Sequence, residues 1–172
     1  MVEKFEFDPL ENAIDFLEKA HSYYKNFGCK HRFKWVCISL HGALYGFAVT
    51  NVKLGNPLNT IHTRKWNLLS IMKILEMCKK EEFIQSINGK ALVLTEKQAA
   101  AIVRLNEYRN TFSHFGVSGY SVIGSLDDIV DPVLEVIKFL SIESNRIIYS
   151  TKQKIKLERT LLLFENEVKT SK

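Results

Sequence analysis

Trp35-Val36-Cys37-Ile38-Ser39-Leu40-His41-Gly42-Ala43-Leu44-Tyr45-Gly46-Phe47-Ala48-Val49-Thr50-Asn51-Val52 holds no Asp, Glu, Lys or Arg. A run this long approaches the span of a bilayer, which takes about 20 apolar residues. Ser39, His41, Gly42, Gly46, Thr50 and Asn51 are each costly or indifferent in lipid, so the run is predicted not to cross a membrane. A central helix buried among others explains it instead. Gly42 and Gly46, four apart, share a face where another helix can approach closely.

Helical signals continue on both sides. Asp8-Pro9-Leu10-Glu11 combines an N-cap, a proline at the first helical position and an acidic residue three after the cap. Ile14, Leu17, Ala20 or His21, and Tyr24 then recur at helical spacing, and the helix is predicted to reach about Phe27, before Gly28. The central helix opens among residues 30–34 and runs to about Thr50. Residues 56–64 read as loop after Leu54-Gly55-Asn56-Pro57. Trp66, Leu69, Met72 or Lys73, and Met77 predict a short helix ending near Cys78. Thr95-Glu96-Lys97-Gln98 is a capping box opening a helix through Ala99, Ile102, Leu105 and Tyr108, with Gly116 as its stop. Asp131-Pro132 repeats the first opening device. The C-terminal pattern is either one long rod or two pieces broken near Ser150-Thr151. The reading is a single all-α domain over residues 1–172. Its simplest form is a four-helix bundle with a short helix inserted between main helices 2 and 3.

Composition narrows the class further. Of 172 residues 46% are hydrophobic and 25% charged, a globular balance, while eight glycines and three prolines encode few turns. Three cysteines, an odd number, exclude a disulfide-stapled secreted scaffold and predict a reducing compartment. Met1-Val2-Glu3-Lys4-Phe5-Glu6 lacks the pattern of a signal peptide, and the expected location is the cytoplasm. A net charge of +5 leans toward anionic partners.

Two constellations carry chemistry. Cys29-x-His31 with Cys37-x3-His41 has metal-ligand residue types, but His31 and Cys37 would lie about 9 Å apart along a helix, too far to close one tetrahedral site. No phosphate loop, catalytic cysteine signature or carboxylate cluster is present, so neither cofactor nor metal is expected. The second constellation is Arg109-Asn110-Thr111-Phe112-Ser113-His114, preceded by Leu105-Asn106-Glu107-Tyr108. Idealised helical geometry puts Asn110 and His114 on one face and leaves Arg109 and His114 about 140° apart.

This stretch resembles the HEPN family (higher eukaryotes and prokaryotes nucleotide-binding), whose ribonucleases carry an Arg-x4–6-His motif on the third helix of a bundle. Arg109, Asn110 and His114 match it, and the order of a capped first helix, an apolar second and a capped motif helix fits over most of the chain. The resemblance implies a metal-independent endoribonuclease of the toxin or antiviral-defence type. It also implies a homodimer whose two motifs face each other across a two-fold axis, with RNA as substrate and a neutralising antitoxin as a further partner. His114 has the intrinsic pKa for proton transfer, Arg109 the charge and donor fork for a phosphate, and Asn110 would orient one of them. RNA brings its own nucleophile, the 2′-OH, so DNA should not be cut. Two other readings use the same residues: a non-catalytic HEPN-like module binding RNA, a nucleotide or a protein, and a helical interaction domain. Lys25, Lys30, His31, Arg32 and Lys34, then Arg64, Lys65, Lys79 and Lys80, then Lys152, Lys154, Lys156 and Arg159 form basic groups able to guide an RNA backbone. Tyr23, Tyr24, Trp35 and Trp66 are candidates for stacking on bases or for the core.

Overall fold

The computed structural model describes residues 8–53, 61–62, 67–83, 88–113 and 121–170. Six α-helices follow one another along them: α1 (Pro9–Tyr24), α2 (Arg32–Lys53), α3 (Ile71–Cys78), α4 (Glu96–Ser113), α5 (Asp127–Lys138) and α6 (Thr151–Thr170). Among the described residues no strand forms, and the chain is all-α; a single bridge joins His62 to Leu68. Helix α2 packs against α1, α3, α4 and α5. Val36, Cys37, Leu40, Ala43, Leu44, Phe47, Ala48 and Val52 of α2 are all buried, which requires apolar residues on several faces at once. Among the described residues this helix alone is long and apolar enough to cross a membrane, yet 56% of its apolar window is buried within the protein.

The closest helix packing follows from the two glycines. A Cβ on Gly46 would lie 2.7 Å from the Cβ of Ala13, and one on Gly42 would lie 2.7 Å from the Phe16 ring. Hydrogen at position 46 lets the α1 backbone lie this close to α2, and hydrogen at position 42 leaves room for the Phe16 ring. Asp8 caps α1 as predicted, accepting from the backbone N–H groups of Leu10 (2.7 Å) and Glu11 (3.2 Å). Helix α1 ends at Tyr24, three residues before the predicted Phe27. The reason is local: Arg32 Nε donates to the Tyr24 carbonyl at 2.6 Å, taking the place of a further helical turn.

Both capping boxes close. Thr95 and Gln98 exchange hydrogen bonds of 3.0 and 3.2 Å at the start of α4. Ser150 and Gln153 do the same at 3.0 and 3.2 Å at the start of α6. The second box settles the C-terminal alternatives in favour of a break. Helix α5 passes through a π-helical turn at Phe139–Glu143, the chain turns at Asn145 with φ of 54°, and α6 starts afresh. Two starts differ from expectation. Helix α5 opens at Asp127, so Pro132 lies inside it; the Leu126 carbonyl accepts from Ile129 and Val130, and both of those side chains enter the core. Helix α3 opens at Ile71, because Leu69 N–H is held by the Ile61 carbonyl at 2.9 Å. Trp66, the predicted opening residue, lies outside the described residues.

Candidate functional site at the end of helix α4

The C-terminal half of α4 is anchored by rings. Ala101, Ile102 and Leu105 are buried, and Tyr108 and Phe112 continue that face against the core. Phe33, in the first turn of α2, meets Tyr108 and Phe112 edge-on with centroids 5.0 and 6.0 Å away. Such pairs add roughly 0.5–1.5 kcal/mol each beyond their buried area. The end of α4 is thereby fixed beside the beginning of α2.

On the flank of this anchored face stand Asn106, Arg109 and Asn110, all half-buried. Arg109 Nη1 donates to Asn110 Oδ1 at 3.0 Å. That bond uses one of the five guanidinium N–H donors and restrains the fork while keeping donors for an anion. The structure therefore brings together two of the three predicted site residues. His114 lies outside the described residues.

Sequence reasoning missed the partner that α2 contributes. His41 Nε2 lies 3.2 Å from Asn106 Oδ1, and its ring stacks on Tyr45 with a 12° interplanar angle. Burial above all, with a smaller contribution from the nearby Arg109 charge, outweighs the opposing Asn106 hydrogen bond and pushes the His41 pKa down to about 4. At neutral pH the imidazole is therefore uncharged and donates through Nε2–H to the amide oxygen. It is a fixed polar strut, not a proton carrier at that pH. The available signal was one histidine inside a stretch that carries no charged residue, whose four-residue spacing from Cys37 also fits a metal pair. Cys37 is fully buried and its thiol is pushed up to about 12 by burial, so it stays protonated. Among the described residues no three His, Cys, Asp or Glu side chains converge on one point.

No family model, curated protein or solved structure matches the chain.

Geometry and charge therefore carry the functional argument. A cleft of about 440 Å³ lies elsewhere, where residues of α4's first turn, α5 and α6 meet. Several of its polar groups are spent on one another: Gln98 Nε2 donates to Glu135 at 2.8 Å, and Lys138 pairs with Glu165 at 2.7 Å. The end of α4 differs in presenting a guanidinium whose hydrogen-bonded neighbour is a neutral amide, a combination that leaves its charge uncompensated by that neighbour.

Proposed function

We propose that the chain is a HEPN-type, metal-independent endoribonuclease of the toxin or antiviral-defence kind. It would act in the cytoplasm as a homodimer, with RNA as substrate and an antitoxin as a neutralising partner. The observation that supports this most directly is the Arg109–Asn110 hydrogen bond in the last turns of α4, a helix that opens on a capping box and packs on an apolar central helix. In this reading the 2′-oxygen of a ribose attacks the adjacent phosphorus as its proton leaves. The bond from phosphorus to the 5′-oxygen breaks, and that oxygen takes a proton. His114 serves proton transfer, Arg109 stabilises charge growing on the phosphate oxygens, and Asn110 holds the Arg109 fork. His41 keeps Asn106 in place and, being neutral, adds no charge of its own.

The balance of this reaction fixes its products. Labelled RNA incubated with the protein in excess EDTA should yield 2′,3′-cyclic phosphate and 5′-hydroxyl ends, while DNA and 2′-O-methyl RNA remain intact. Cleavage that stops in EDTA and returns with Mg²⁺, or that leaves 5′-phosphate ends, would overturn the proposal.

A further inference from the structure

We propose that the corner between α1 and α2 is a landing surface for single-stranded RNA. Phe27 would be its base-stacking ring, and Lys25 and Lys30 its phosphate contacts. The choice of RNA rests on the nuclease reading above; the surface itself rests on charge and ring geometry.

Charge is segregated along the chain. Between Glu18 and Glu76 there is no Asp or Glu, whereas seven lysines and two arginines fall in the same 57 residues. The remainder, with 15 cations and 19 carboxylates, is net negative. In the other basic groups four of the cations are already paired with carboxylates. Lys79 pairs with Glu76, Lys80 with Glu82, Lys154 with Glu158 and Lys156 with Glu18. Among the described residues no carboxylate pairs with Lys25, Lys30 or Lys34. A polyanion replaces solvent and counterions there without first breaking an ion pair.

Rings are interleaved with these cations. Phe27 is 75% exposed, and the Arg32 guanidinium lies over its ring, 4.2 Å from the centroid. Trp35, 38% exposed, is stacked by the ring of Tyr23 at 5.9 Å and carries the Lys34 ammonium 4.9 Å from its centroid, so it borders the surface as a ring already engaged. Tyr24 and its cation contact with Arg32 belong to the core side of the corner. The turn is held by successive backbone bonds, Asn26 to Tyr23, Cys29 to Asn26 and Arg32 to Cys29, at 3.0–3.2 Å, so Phe27 is presented on ordered backbone. An exposed ring beside cations that no carboxylate neutralises suits a strand whose bases are free to stack, and a duplex hides those faces. The same chemistry would also suit an anionic lipid surface. RNA is favoured by position, because Phe33 in this same turn packs on Tyr108 and Phe112, which flank Arg109 and Asn110 on α4.

The test is fluorescence anisotropy with a labelled 2′-O-methyl oligouridine of about 15 nucleotides, a strand the proposed reaction cannot cut. The parent protein should bind it more tightly than a duplex of equal length. Phe27→Ala should weaken binding about 10-fold, within the range for removal of one stacking ring. Lys25→Glu with Lys30→Glu should weaken it further and make the log–log salt dependence shallower by about 0.7 for each phosphate that is no longer neutralised. The milder Lys25→Gln with Lys30→Gln should fall between, and all these exposed variants should melt like the parent. Parent-like binding by Phe27→Ala and the lysine variants would overturn the surface, as would tight binding to phosphatidylserine vesicles with none to the strand. Weakened binding in the variants, together with no RNA cleavage by the parent, keeps the surface and removes the nuclease reading. Cleavage by the parent with unchanged variant binding does the reverse.

Discussion

His41 of α2 and Asn106 of α4 meet across 3.2 Å, so a charge-free helix face holds the helix bearing Arg109 and Asn110 by a polar contact in a half-buried seam. An uncharged imidazole suits that seam, since a cation there would face Arg109.

Acid should therefore weaken the fold through His41. Its folded pKa of about 4 lies below its ordinary value of 6.5, so between these pH values the unfolded chain binds a proton that the folded one refuses. The stability penalty is absent above about pH 6.5 and grows as pH falls to 4, reaching at most about 3 kcal/mol. His21, also lowered by burial, acts in the same direction. Urea melts from about pH 7.5 to about pH 4.5 should show this slope. His41→Gln, which keeps an amide donor for Asn106 but cannot titrate, should flatten it; an unchanged slope would assign the effect elsewhere.

Gly46→Ala should destabilise the protein although alanine is the better helix former by about 1 kcal/mol. The new methyl would meet the Ala13 Cβ at 2.7 Å and its Cα at 3.3 Å, and overpacking of that kind costs about 1–3 kcal/mol. Gly42→Ala meets only the ring of half-buried Phe16, which can swing aside, and should cost less. Thermal melts of the two variants that reverse this order would show that α1 and α2 separate readily.

Catalysis, on the proposed mechanism, should separate from folding. His114→Ala should abolish RNA cleavage while costing about 1 kcal/mol or less of stability. Arg109→Ala should lower the cleavage rate about 10²–10³-fold, the scale for removing one charge-stabilising donor group. Arg109→Lys should restore little, because an ammonium cannot reproduce the fork that Asn110 holds. Initial rates on labelled RNA, set beside melting temperatures, decide the matter. A folded His114→Ala that cuts at the parent's rate would end the proposal.

On the proposed reading the composite site would require two chains. One idealised helix leaves Arg109 and His114 about 140° apart, a gap that a second copy across a two-fold axis would close. Light scattering at micromolar concentration should give twice the chain mass, and a monomer throughout that range would count against the shared cleft.

How much of this can be read from the residues depends on distance along the chain. Asp8 and the Thr95–Gln98 box act on backbone groups within three residues, so two helix starts are legible from sequence alone. The Ser150–Gln153 box is just as local, but apolar periodicity running on both sides of it left the break it makes as one of two alternatives. The Gly42–Gly46 spacing announces a close helix contact, and only folding identifies Ala13 and Phe16 as what fills it. Arg109 and Asn110 are neighbours, so their pairing is within reach of sequence reasoning.

What the sequence by itself determined is the helical class, the capped starts of α1 and α4, the central apolar helix and the adjacency of Arg109 and Asn110. Each is set by hydrogen bonds or periodicity within a turn or two. What only the tertiary structure decided is that Tyr24 is buried while Phe27 is exposed, that Pro132 lies inside a helix, and that His41 meets Asn106. His41 and Asn106 are 65 positions apart, and their contact exists only because α2 and α4 share a seam. Burial and long-range contacts are properties of packed surfaces, and no local spacing of residue types encodes which surfaces will meet.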